Sequence, residues 1–78
     1  MVQTKSKNLK EKMYSWVLSE LQQAEDAGLA FYVDGRPYTT KESEELHMVM
    51  EDGYYMKSYI EDDTGKIVQI DFEHIENV

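Results

Sequence analysis

Seventy-eight residues without a cysteine leave room for one small domain and exclude a disulfide framework or a thiolate metal site. Sixteen acids against eight cations give a net charge of −8, which excludes an electrostatic grip on nucleic acid or an anionic membrane and favours basic surfaces instead. No run approaches the roughly 18 apolar residues that a membrane span needs.

The charge is uneven. Residues 1–12 hold four lysines against Glu11, a net of +3, and the other 66 residues net −11. No apolar stretch follows the first lysines, so no secretory signal is expected and a cytoplasmic setting is the natural one. Residues 1–7 are polar and read as a frayed tail, and 8–78 as a single domain. Asn8, with Glu11 three residues on, forms a variant capping box. Leu9, Met13, Trp16, Val17, Leu21 and Ala24 then recur at three- and four-residue steps. That spacing predicts an amphipathic helix over 8–27, stopped by Gly28, with Trp16 as its largest core anchor.

Leu29 to Val33 is a short apolar run, and Asp34-Gly35 is a preferred type I′ turn, so a short hairpin is expected over 30–39. It pairs Val33 with Arg36 and Phe31 with Tyr38, and it tolerates Pro37 only on an edge strand. Thr39-Thr40-Lys41-Glu42 reads as a capping box opening a second short helix over 40–51, with Leu46, Val49 and Met50 as its apolar face.

The strongest local signal is a long hairpin over 54–73, where apolar and polar residues alternate on both arms of a turn. A three-residue loop, Asp63-Thr64-Gly65, sets Ile60 opposite Val68, Ser58 opposite Ile70 and Met56 opposite Phe72. One face is then almost wholly apolar, with Lys57 against Asp71 and Asp62 against Lys66. Gly65 takes the left-handed position of a type I turn with a G1 bulge. In this register Tyr55 and Tyr59 fall on the polar face. A hairpin alone is unstable, so the first helix is expected to cover the apolar face. The fold class is α+β: a small antiparallel sheet under the first helix, with the second helix at an edge or on the other face.

Candidate chemistry is thin. Glu44, His47 and Glu51 share a helix face at i, i+3 and i+7, but a di-metal carboxylate site needs further carboxylate-bearing helices. Asp62-Asp63-Thr64-Gly65 lacks the spacing and terminal glutamate of a calcium loop and is explained by turn chemistry. No nucleophile–base spacing or glycine-rich phosphate loop is present. No catalytic, cofactor-binding or metal-ligating residue is therefore assigned, and an enzyme is not expected.

What remains is a surface. Glu44, Glu45, Glu51, Asp52, Glu61, Asp62 and Asp63, with Tyr55 and Tyr59, make a candidate partner-binding set in which tyrosine supplies contact area at low entropic cost. In size, acidity and absence of cysteine the chain resembles small inhibitors encoded by phages and mobile elements, among them anti-CRISPR proteins and nuclease inhibitors. The resemblance rests on no motif. It implies a nucleic-acid mimic that presents carboxylates to a basic, nucleic-acid-binding protein and binds neither nucleic acid nor membrane itself. The alternative from the residues is a homodimer using the remaining tyrosines and the Tyr14/Leu18 flank, with room for a small ligand between subunits. The plainest alternative is that the acids serve solubility alone.

Overall fold

The computed structural model describes residues 9–75; the expected frayed tail and the Asn8 cap lie outside them. The apolar stripe forms α1, Leu9–Ala27, and buries Val17, Leu21 and Ala24. Its end is a pair of backbone bonds, Gly28 N–H to Glu25 O (3.1 Å) and Leu29 N–H to Ala24 O (2.8 Å). Those two bonds satisfy the last helical carbonyls in the Schellman pattern.

The short hairpin forms as expected. β1 (Ala30–Val33) and β2 (Arg36–Pro37) join through Asp34 and Gly35, both at positive φ (52° and 81°), which is the type I′ geometry. Val33 lies opposite Arg36, and Tyr38 N–H reaches Phe31 O at 3.0 Å. A 3₁₀ turn, Thr40–Glu42, then leads into α2, Ser43–Val49. The Glu42 carboxylate accepts the Thr39 N–H at 2.8 Å, as a capping box requires. From α1, Glu25 also accepts both the N–H (2.9 Å) and the hydroxyl (3.1 Å) of Thr40, tying the two helices together.

β3 (Tyr55–Glu61) and β4 (Ile67–His74) complete a four-stranded sheet in the order β2-β1-β4-β3. The sheet is mixed, whereas the sequence suggested an antiparallel one: β1 runs parallel to β4, with Phe31 beside Ile70 and Val33 beside Phe72. Two hairpins can share one sheet only if an arm of each pairs with the other, and local patterning carries no information about that pairing. Pro37 sits on an edge, where its missing N–H costs no ladder bond.

The long hairpin keeps its expected loop but not its expected register. Asp62 N–H bonds Lys66 O (2.9 Å), Gly65 N–H bonds Asp62 O (3.0 Å), and Gly65 has φ 85°. Beyond Glu61 the pairing slips by one, because Glu61 lies opposite Ile67 while Ile60 lies opposite Gln69. Val68 is the extra residue. This bulge sets Tyr55 opposite His74, Lys57 opposite Phe72 and Tyr59 opposite Ile70. Tyr55, Lys57 and Tyr59 therefore share the helix-covered face with Phe31, Val33, Ile70 and Phe72, and Met56, Ser58 and Ile60 face away from it. Ser58 is exposed and not buried, and Tyr55 is core, at 4% exposure.

The core centres on Phe72, Leu21, Leu46 and Val17. Trp16 is not its main anchor. It remains 37% exposed and meets Phe72 edge-on at a centroid distance of 4.9 Å, roofing the core from its margin. Phe72→Ala should thus cost about 3–5 kcal/mol, and Trp16→Ala distinctly less; equal losses in thermal melts would put Trp16 back in the core. Nothing lies within 4 Å of a Cβ built on Gly65, so substitutions there carry only backbone strain. Gly65→Val should lose about 1–2 kcal/mol, while Gly65→Asn, which tolerates positive φ, should be milder. Equal melting temperatures for the two variants would contradict the left-handed turn.

Candidate functional site

Each candidate carboxylate can be placed from its backbone. Glu45 lies 4.0 Å from Arg36 on the β2 side of the sheet, with Glu44 exposed beside it in α2. Glu51 and Asp52 lie where α2 leads into β3. Glu51 N–H donates to the Tyr55 hydroxyl (2.8 Å), and Asp52 O accepts from His74 Nε2 (2.8 Å). A carbonyl only accepts, so Nε2 carries the proton. Glu61, Asp62 and Asp63 sit at the far end of β3, in the hairpin turn. Seven residues at about 3.3 Å each separate the two ends by on the order of 20 Å. α2 does not pack beside that turn. The acids expected to merge into one surface therefore form three groups: Glu44–Glu45, Glu51–Asp52 and Glu61–Asp63.

The two tyrosines part company. Burial takes the Tyr55 side chain out of any binding surface, and desolvation raises its pKa above the ordinary tyrosine value of 10.0 despite the hydrogen bond from Glu51. Tyr59 is 54% exposed, with the Lys57 ammonium 4.6 Å from its ring centroid. Lys57 turns inward onto Glu20 of α1 at 2.6 Å, both side chains being more than four-fifths covered. Burial alone would lower its pKa, but the Glu20 and Tyr59 side chains outweigh that and hold it above the ordinary 10.5. At the turn, the Asp62 carboxylate accepts from Thr64 Oγ (2.7 Å), Thr64 N–H (2.8 Å) and Lys66 N–H (3.1 Å), which keeps its pKa below the usual carboxylate value.

The helix-face trio separates. His47 bonds Glu11 of α1 through Nε2 (2.8 Å) and stacks edge-on against Tyr14 (4.5 Å), whereas Glu51 faces His74 Nδ1 at 3.9 Å. Among the described residues no three metal-ligating side chains gather. An open cleft of about 380 Å³ is lined by Leu9, Asp52, Gly53, Tyr54, His74 and Ile75. Its histidine is committed to holding the Asp52 carbonyl. Glu20 and Glu25, which position Lys57 and Thr40, carry no signal in the sequence beyond their place on α1 close to the apolar stripe.

These placements define an α+β chain with a four-stranded mixed sheet covered by α1 on one face, and among its described residues no helix is long and apolar enough to cross a membrane. No family model matches the chain, and neither a curated protein nor a solved structure matches it.

Tyr55 and Lys57 both have pKa values raised by folding. Each therefore contributes stability that is complete below its unfolded value, near pH 10, and lost as pH rises through the folded value. The melting temperature is expected to hold up to about pH 10 and fall above it. Lys57→Met should start lower and fall less, so that the two curves converge in alkali. Parallel curves would show that the Glu20 pair contributes nothing pH-dependent.

Proposed function

We propose that the chain is a small acidic interaction protein, without enzymatic activity, that docks its carboxylates on a basic, nucleic-acid-binding protein and competes there with nucleic acid. An inhibitor of the phage or mobile-element type would act in this way. The observation that carries the reading lies between Glu42 and Asp63. All eight carboxylates in that stretch are exposed, and its one Lys or Arg, Lys57, is turned inward onto Glu20. Apart from the Arg36–Glu45 pair, the outward field of this stretch is therefore negative. Such a field draws in a basic partner and is screened over about 8 Å at physiological salt.

The test uses a basic protein captured by the immobilised chain at low salt and released at high salt. Replacing Glu44, Glu45, Glu61 and Asp63 with Ser, and keeping Asp62 because its carboxylate holds the turn, should slow association and flatten its salt dependence, with the melting temperature little changed. Association as fast as that of the wild type would sink the reading. So would a ternary complex in which the partner holds nucleic acid and this chain together. Aggregation of the variant with unaltered binding would leave solubility as the role of the acids.

A further inference from the structure

β3 ends the sheet. Among the described residues no strand pairs with its outer side. Ile75 N–H donates to Tyr54 O at 2.8 Å, so the Tyr54 carbonyl points towards β4. In an antiparallel ladder, inward- and outward-facing residues alternate along the strand. Met56, Ser58 and Ile60 thus spend their backbone groups on β4, while the N–H and C=O of Tyr55, Lys57 and Tyr59 point outward along seven residues of edge. The opposite edge, β2, offers only Arg36 and Pro37. Natural sheets usually shorten, cover or charge such an edge to stop it pairing. Among the described residues no strand covers it, its central charge, Lys57, is turned inward onto Glu20, and the other charges lie at the ends: Glu51 and Asp52 precede the strand, Glu61 closes it, Asp62 and Asp63 follow, and all five are exposed.

We propose that this edge is the docking site, and that the basic partner contributes an extended segment with cationic residues at both ends, which adds to the sheet as a fifth strand beside β3. The proposal rests on the reading of the chain as a binder of basic protein and names the part of the partner it takes. Main-chain hydrogen bonds to Tyr55, Lys57 and Tyr59 supply the affinity, and the terminal cations meet the two acidic groups and fix the register. Alternate residues of the incoming strand lie beside Met56 and Ile60, which are 48% and 40% exposed, so apolar side chains suit those positions.

Charge decides against a second copy. An antiparallel pair of β3 strands that uses the whole edge has its two-fold at Ser58. It sets Asp62 of each copy opposite Tyr54 of the other and Asp63 opposite Gly53, one residue short of Asp52, so the acidic groups at the two ends of the strand are brought close together. Acidic groups so placed repel one another at both ends of the pair, and each chain carries −8 overall.

The probe is a synthetic peptide as long as β3, alternating valine and threonine, with paired arginines at each end; a second lacks the arginines. Amide hydrogen exchange of the whole chain is followed by NMR. At a peptide concentration ten times its Kd, exchange at Tyr55, Lys57 and Tyr59 should slow by about tenfold, and the slowing should vanish at high salt. Methylating alternate peptide nitrogens should abolish binding in one phase of the alternation and spare it in the other. Tyr59→Pro, which removes an outward donor only, should weaken binding, and the methylated peptides keep the test valid should that variant fail to fold. Salt-sensitive binding without slowed exchange at these three amides overturns the edge and leaves the acidic-surface reading standing. Equal slowing by the arginine-free peptide overturns the basic partner and leaves the edge. Slowing in the protein alone as its concentration rises identifies a second copy and overturns the proposal, as does no binding of the arginine peptide.

Discussion

The arrangement of this protein depends on one extra residue in β4. From the turn outward the hairpin begins in the register that makes Met56, Ser58 and Ile60 the inner face, and Val68 then intervenes without a partner. Beyond it every residue of β3 is turned over, because side-chain direction in a strand has a period of two. Tyr55 enters the core and Lys57 points at α1. Met56 and Ile60 are left in water. The exchange brings a large aromatic ring under cover at the expense of two aliphatic side chains, and it places a lysine on a face that would reject it without Glu20.

That lysine links fold and surface. An ammonium facing the helix layer would be costly to desolvate alone, and Glu20 with the Tyr59 ring makes the position tolerable. The same contact withdraws the only Lys or Arg between Glu42 and Asp63 from the outer field of the protein. A packing solution inside the sheet thus sharpens the negative charge outside it. The acids are nonetheless dispersed along the chain's margin. α2 ends near the start of β3, held there by the Glu51–Tyr55 and His74–Asp52 bonds, while the turn lies a full strand length away.

Much of this was legible in the residues. The Leu9–Ala24 periodicity, the Gly28 stop, Asp34-Gly35, the Thr39–Glu42 cap and the Asp62–Gly65 turn are all local, each decided by a few neighbouring residues whose preferred backbone states agree. The partner-binding set was legible only as a list. Its carboxylates are exposed because carboxylates usually are, but their grouping, and the loss of Tyr55 to the core, depend on which strands pair and in what register.

The sequence by itself determined the element order, the α+β class, both turns and the excess of negative charge, because helix periodicity, turn chemistry and composition act over a few residues. Only the tertiary structure decided that β1 lies parallel to β4, that β3 stands at the edge and that Lys57 faces Glu20. Those outcomes turn on contacts between residues far apart in the chain, such as Phe31 beside Ile70 and Glu20 beside Lys57. In the hairpin, the local alternation favoured a register one residue away from the one adopted, and in the adopted one Lys57 meets Glu20 of α1 and Tyr55 enters the core, contacts that no local pattern contains.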